Sequence, residues 1–526
     1  MHAFDLNEIL DAIAVYLPAP SLRSCILVCH QWNAVFHPHL WRSVHINLRA
    51  TQIVTTLPNL TLNASHVQDL SLVDFDQTDD YFSLSFPRLQ SLYLSFIQVA
   101  DDRKLVDAGL RLWQRHIASV QSLTLINSKR FVVDDVWGFF KGPPSEPFCA
   151  LRSLTMKLAI FPLNELNDEA RAILCQLDTL ALENVNLADT RTDHPFGQVS
   201  SPRWRLLSDD SDDNDSTVRI QHLSLRHCYS IADAFHLMMA CRQEIRSLIW
   251  HNYSRAVNYV AVIVRHLRDE NGMWANLEEL ELNLSYLEDQ DLAGIIGALK
   301  CPLKKLSMTM TSFGNLSART LLEATGPRGE RMHCERLEVV FVCGCVYLSG
   351  SMVQRFLCEC PNLKDFRARL LSDLDVQRDP RPWVCKDLHT FLVGFAEAVT
   401  EGPAVIPSVF IERLSALDRL EVLGIMDTGL DVPSATGVFM EHGVEVHELR
   451  FLKIDLQKGL DRLWRLKRLN TFRMDFSDTE VFSVQEARWM AKHWPRLERV
   501  MLAKVQPLEQ DLIRVVFSNL QCVFHL

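Results

Sequence analysis

The 526-residue sequence is notable first for what it lacks. No apolar run approaches the ~20 residues needed to cross a bilayer, so no membrane partner is expected. The N-terminus carries Asp5, Glu8 and Asp11 and no basic stretch, unlike a secretory signal, so an intracellular chain, cytoplasmic or nuclear, is expected. There is no basic excess. A net charge of −11 argues against a general nucleic-acid binder. The fourteen cysteines show no framework spacing, which favours reduced thiols over disulfides. Cys343-Gly344-Cys345 and Cys358-Glu359-Cys360 look like metal half-sites, but neither has a partner pair at zinc-site spacing, so no metal is expected. The sequence has no glycine-rich phosphate loop, no His-Glu-x-x-His and no Gly-x-Ser-x-Gly. No cofactor and no catalytic residue are expected, and the chemistry should be recognition.

A chain this long exceeds one compact core and implies several domains or an extended array. Its first forty residues differ from the rest. Asp5 and Glu8 have the spacing of a capping box. Ile9, Ile13, Tyr16 and Leu17 then recur at helical spacing on one face. Pro18 and Pro20 are expected to end that helix, with Ser21 capping a second one from Leu22. From Leu22 to Phe36 apolar side chains fall on more than one face, with Ile26, Leu27, Val28, Cys29 and Trp32 close together. His37-Pro38-His39 should stop that run. A segment this small cannot hide all of these groups from water, so something outside it should cover part of them.

This stretch resembles the F-box. The family's Leu-Pro, Glu-Ile/Leu-Leu, apolar, Tyr-Leu, Leu, Val-Cys-x-x-Trp and Leu-Trp pattern reads here as Leu6, Glu8-Ile9-Leu10, Ile13, Tyr16-Leu17, Leu22, Val28-Cys29-His30-Gln31-Trp32 and Leu40-Trp41. One position departs: Asn7 stands where the family has proline.

After residue 44 a phrase of apolar, two residues, apolar, one residue, apolar recurs, as in Leu89-Gln90-Ser91-Leu92-Tyr93-Leu94 and Leu277-Glu278-Glu279-Leu280-Glu281-Leu282. Its middle apolar residues are Leu70, Leu92, Leu123, Leu154, Leu180, Leu223, Leu248, Leu280, Leu306, Val340, Phe366, Phe391, Leu423, Leu449, Phe472, Val500 and Val523. Several phrases are preceded by proline, as in Phe86-Pro87-Arg88-Leu89 and Cys360-Pro361-Asn362-Leu363, which ends a helix and feeds a strand. Helical patterns lie between phrases, for example Ala232 to Ile245 and Gln485 to Trp494. Strand plus helix at this period resembles the leucine-rich repeat, in which stacked units share one core. Two units end in Cys228 and Cys345, where the family often has Asn or Cys, so these thiols should be structural. Ser208 to Ser216 is acidic and has no apolar residue. It reads as a disordered insertion over about 206–217, either a solvated loop or a regulatory one with phosphorylatable Ser208 and Ser211.

The expected fold class is α/β: an N-terminal three-helix F-box, residues 1–45, followed by a leucine-rich repeat solenoid, residues 46–526, a horseshoe with an inner parallel sheet and outer helices. With no Gly/Ser-rich stretch at Leu40-Trp41 to Ile46, the two should join without a flexible linker. The resemblance implies a non-catalytic substrate-recognition subunit of a Skp–cullin–F-box ubiquitin ligase. A non-degradative scaffold is the alternative. The implied partners are a Skp-type adaptor, cullin through it, and an unidentified target protein. Adaptor contacts are expected from Leu6, Ile9, Leu10, Leu17, Pro18, Leu22, Val28, Cys29 and Trp32. Strand alternation places the residue after each marker on the inner face. There Arg367, Arg450 and Arg473, with Arg369 two residues beyond Arg367, suit an acidic or phosphorylated target. Arg450 and Arg473 are expected as neighbours, with Leu392 and Gly424 leaving a low floor between them and Arg367. These arginines can instead pair with inner-face acids such as Asp365, Glu421, Glu448 and Asp475.

Overall fold

The computed structural model describes residues 6–47, 53–73, 83–95, 103–126, 150–157, 173–185, 187, 218–228, 231–252, 264, 267, 274–284, 287–309, 311–326, 329–398, 408–425, 440–441, 444–445, 449–451, 456, 459–474, 483–502, 513, 515–517 and 521–524. Asp5 of the expected capping box, and the acidic insertion with Ser208 and Ser211, lie outside them. The chain divides into two compact units, Met1–Ile245 and Arg246–Leu526.

The first unit opens with three helices: α1 (Leu6–Ala14), α2 (Ala19–Cys25) and α3 (His30–Leu40). Two boundaries differ from the sequence expectation. Ser21 does not cap α2. The helix starts at Ala19, because Pro18 is extended at the N-cap and Pro20 sits in the first turn, where no N–H is needed. Nor does Pro38 stop α3, which runs through it to Leu40. Trp41 N–H donates to His37 O at 3.4 Å and Arg42 N–H to His39 O at 3.3 Å, so the last turn closes around the missing donor. The start of α3 is held by Cys29, whose Sγ accepts Trp32 N–H at 3.5 Å.

Among the described residues seven parallel strands follow: β1 (Ser43–Asn47), β2 (Asp69–Val73), β3 (Ser91–Ser95), β4 (Ser122–Ile126), β5 (Ser153–Lys157), β6 (Thr179–Glu183) and β7 (His222–Arg226). Their register aligns Val44, Leu70, Leu92, Leu123, Leu154, Leu180 and Leu223, all buried. Serine and threonine alternate with these leucines, so one face of each strand packs on the core and the other is polar.

In the second unit the strands are β8 (Ser247–Asn252), β9 (Glu279–Leu284), β10 (Lys305–Met308), β11 (Val339–Val342), β12 (Asp365–Ser372), β13 (Thr390–Ala398), β14 (Val422–Ile425), the short β15 (Met440–Glu441) and β16 (Val444–Glu445), β17 (Leu449–Phe451), β18 (Thr471–Met474), β19 (Arg499–Leu502) and β20 (Gln521–Phe524). Leu248, Leu280, Leu306, Val340, Phe366, Phe391, Leu423, Phe472 and Val500 form the aligned row. Two markers depart from it. Leu449 lies in β17, which runs antiparallel to β13 with Leu449 opposite Ala398. Strand β13 has nine residues and β14 four, so the end of β13 offers open backbone groups that β17 takes, while β14 pairs directly with β18. At β20 the partner of Val500 is Cys522, one residue before Val523. Helices between strands include Asp289–Ala298, Asn315–Glu323, Gly350–Glu359 and Val484–His493. In each unit, strand and helix units stack as in a leucine-rich repeat solenoid.

One backbone device recurs at the turn entering the strands. The carbonyl just before a strand accepts two consecutive N–H groups from the next repeat. Arg42 O takes those of Gln68 and Asp69, Gln68 O those of Gln90 and Ser91, and so on to Asp178 O. In the second unit it runs from Arg246 O to Asn470 O, each bond 2.7–3.1 Å. It passes from Glu421 directly to Asn470, so the segment holding β17 is outside the repeat. A helix start is also satisfied by a neighbour: Asp289 accepts Gly314, Leu316 and Ser317 N–H at 2.9–3.0 Å. Cys345 is structural as expected, its thiol donating to Met308 O at 2.9 Å, and burial pushes it up to about 12. Cys228 is likewise buried and pushed up to about 12.

Two buried histidines act as acceptors at these turns. His116 Nε2 accepts Phe86 N–H at 3.3 Å and His333 Nδ1 accepts Leu303 N–H at 3.2 Å. Burial pulls His333 down from 6.5 to about 4. Unfolding returns it to the ordinary value, so below pH 6.5 the unfolded chain binds a proton that the folded chain refuses. Stability of the second unit should therefore fall by on the order of 2–3 kcal/mol between pH 6.5 and 4 and level off below. Hydrogen exchange around residues 301–342 as a function of pH should show this loss, and His333→Gln should flatten it.

Candidate functional site

The three N-terminal helices enclose a small core of Leu10, Ala14, Leu22 and Phe36, with Leu17, Cys25, Ile26, Trp32, Val35 and Leu40 packed against it. Trp32 and Phe36 meet at 5.3 Å between ring centroids. Polar ties join α1 to α3. Gln31 Nε2 donates to Asn7 Oδ1 at 2.9 Å, and His39 Nε2 meets Asp11 Oδ1 at 2.6 Å. Asn7, the departure from the family pattern, thus anchors the first turn through its side chain.

The expected adaptor residues divide into two groups. Leu10 and Leu22 are core side chains, each 5% exposed, and Leu17 and Trp32 are partly buried against them. Ile9, Pro18, Val28 and Cys29 are exposed. Leu6 opens α1, and its side chain lies outside the described residues. The structure adds exposed apolar groups that the expected set omitted. Tyr16 is 86% and Leu27 83% exposed, with Ile13 and Val15 also open. Ile9 and Ile13 make one stripe along α1, Tyr16 lies in the turn just past its end, and Leu27-Val28-Cys29 lies in the α2–α3 connection. The helix propensity of α1 does not require these groups, and among the described residues they leave apolar surface open to water.

The second candidate surface is the inner-face row of the second unit. Register places Phe341, Arg367, Leu392, Gly424, Arg473 and Met501 side by side. This corrects the expected arrangement of arginines. Arg450 lies on antiparallel β17 opposite Glu397, and Arg473 adjoins Gly424. The side chain of Arg450 lies outside the described residues. Arg367 is bound bidentately by Asp365, at 3.0 and 2.9 Å, and its guanidinium lies 4.3 Å from the centroid of Phe341. Of the acids foreseen as partners, Asp365 is therefore one. Arg369 is half-buried and already engaged within the protein, as is Arg473. The floor between Arg367 and Arg473 is not low. Leu392 lies over Gly424, where a Cβ would collide with its Cδ2.

Residues 7–47 match the F-box-like family model. The chain carries an F-box-like domain followed by strand and helix units like those of a leucine-rich repeat. Strand β1 belongs to the matched residues and also opens the parallel sheet, so the F-box-like domain enters the sheet through its own last element. Among solved structures, the chain is similar to the crystal structure of a Rad7 and Elc1 complex in yeast, at 12% identity, over 98% of this chain and 96% of that chain, with a TM-score of 0.39. No curated protein matches. Among the described residues no cluster of His, Cys, Asp and Glu is arranged to hold a metal ion, and no helix is long and apolar enough to cross a membrane.

The sequence signal for the exposed groups was partial. Ile13 and Tyr16 already shared the helical face of Ile9, whereas nothing in the pattern separated Leu27, which faces outward, from Ile26, which faces the core. The two groups should behave oppositely under substitution. Leu10→Ala should destabilise the F-box-like bundle by about 2–5 kcal/mol, while Tyr16→Ser and Leu27→Ser should change it by about 0.5 kcal/mol or less. Hydrogen exchange of peptides spanning residues 6–40 reads both.

Proposed function

We propose that this chain is the substrate-recognition subunit of a Skp–cullin–F-box ubiquitin ligase. The observation that carries the reading is the set of exposed apolar side chains on a domain that matches the F-box-like family. Ile9, Ile13, Tyr16, Pro18, Leu27, Val28 and Cys29 form its docking surface for a Skp-type adaptor, with Leu6 at the start of α1 as a further contact. Leu10, Leu17, Leu22 and Trp32 hold the shape of that surface from beneath. The division into an F-box at residues 1–45 and leucine-rich repeats over residues 46–526 follows, with the target protein bound by the repeats. The chain then acts as a receptor without an active site of its own: holding a target beside a ubiquitin-charged enzyme raises the effective concentration of the two.

The test is association. The double variant Ile9→Asp/Val28→Asp should lose capture of a Skp-type adaptor and, through it, of cullin, because truncating or charging a central apolar anchor typically costs ~2 kcal/mol or more of binding. Hydrogen exchange over residues 6–40 should stay as in the parent chain, since both side chains are exposed. Adaptor capture unchanged in a folded double variant overturns the docking surface. Adaptor capture without cullin in the same purification overturns the ligase assignment in favour of a scaffold.

A further inference from the structure

We infer that the inner face of the second unit is shaped for an extended anionic peptide with negative side chains at positions i and i+4 and an apolar side chain at i+2. The inference rests on the reading that the repeats hold the target, and it deepens that reading by naming the pattern recognised. In the row of register partners, Arg367 and Arg473 stand three strands apart, with Leu392 and Gly424 between them; Arg473 is half-buried and already engaged within the protein, so it offers an anion only the donors that this engagement leaves. Three strand spacings make ~14 Å, and four residues of extended chain at ~3.4 Å each span the same distance. An extended chain crossing the strands therefore brings every second side chain to the sheet, with its first and fifth residues over the two arginines.

The middle of the row fits the third residue. Leu392 leans across Gly424, so the space between the arginines is an aliphatic step. Any side chain at Gly424 would displace Leu392 and raise the floor. Arg367 is presented rigidly, stacked on Phe341 and held by Asp365 along one edge. Asp365 takes two of its five N–H donors, Nε and one on Nη2, and the side chain as a whole remains 38% exposed. A second anion meets it at its remaining edge. The opposite flank sets the limit of the site. Glu281 stands three strands before Arg367 in the same row, paired with His251 at 2.8 Å, and an anionic chain extending past Phe341 meets this carboxylate. The charge pattern thus fixes both the spacing and the side on which the peptide stops.

The experiment is fluorescence anisotropy with the full-length chain and a fluorescein-labelled peptide, Gly-Ser-Glu-Thr-Leu-Thr-Glu-Ser-Gly. Further arms replace both Glu by Lys, move the second Glu to i+3, replace the central Leu by Ser, or place phosphoserine at the Glu positions. The i, i+4 anionic peptides should bind about tenfold more tightly than the Lys peptide and the i+3 peptide. Tighter binding of the phosphoserine peptide than of the Glu peptide would identify phosphate as the anion. Arg367→Glu and Arg473→Glu should each weaken binding about tenfold, with a peptide carrying Lys at one end recovering it. Leu392→Ser should weaken the Leu peptide and leave the Ser peptide unchanged. Equal binding by all peptides, or no response to either charge reversal in chains with unaltered hydrogen exchange, overturns the inference. Should a reversal unfold the chain, Arg367→Gln and Arg473→Gln give the same reading. Adaptor capture measured on the same variants separates the outcomes: its persistence leaves the receptor assignment standing when the peptide pattern fails.

Discussion

The structure depends on one repeated interaction, a main-chain carbonyl at the mouth of each repeat that accepts two successive N–H groups from the next. At 2.7–3.1 Å each bond is ordinary, and a net worth of ~1 kcal/mol apiece would not distinguish it. Its importance is positional. It fixes where the following strand begins, and because side chains alternate along a strand, that decides which of them enter the core. Once the start is fixed, Leu70 must meet Leu92, and Leu306 must meet Val340. The device begins at Arg42, directly after the F-box-like helices, so the bundle sets the first register of the sheet.

Apolar periodicity made the sheet legible in the sequence. Every repeat had to bury the same three spaced side chains, and within each unit most markers fall in an aligned row. The failures have physical causes. Glu448-Leu449-Arg450-Phe451 has the right alternation but answers a different demand, the open backbone at the end of β13, and periodicity does not report strand direction. Cys522 rather than Val523 aligns with Val500 because both residues of that dipeptide are apolar, so the pattern leaves the register ambiguous by one. Proline was over-read in the bundle. Pro20 occupies a first turn, where its missing N–H costs little, whereas Pro38 forfeits one i→i−4 bond in the last turn of α3, which still closes through Trp41 and Arg42 N–H.

The candidate surfaces were legible to different degrees. A segment too small to bury its apolar residues announces a partner, but composition alone does not divide them between core and surface. Leu10 and Ile9 are neighbours in sequence and opposites in burial. On the inner face the arginines were visible and their partners only guessed. Asp365 lies two residues before Arg367 on the same strand face, and that spacing alone brings the pair together. The contact between Leu392 and Gly424 was invisible, since it depends on a leucine rotamer reaching across to the next strand.

The doubly bonded carbonyl has a consequence for how such a sequence can drift. Its donors and acceptor are main-chain atoms, so the positions that carry it share no side-chain type: Arg42, Gln68, Gln121, Asp178, Lys304, Glu338 and His389 all serve. Mutation there is nearly unconstrained, except that proline at either donor position would delete an N–H. Side chains at these turns are consequently available for surface charge, and Lys304 with Glu278 at 2.7 Å and Lys364 with Glu338 at 2.6 Å use that freedom. The side chains of this rim can therefore change charge and size while the sheet keeps its register.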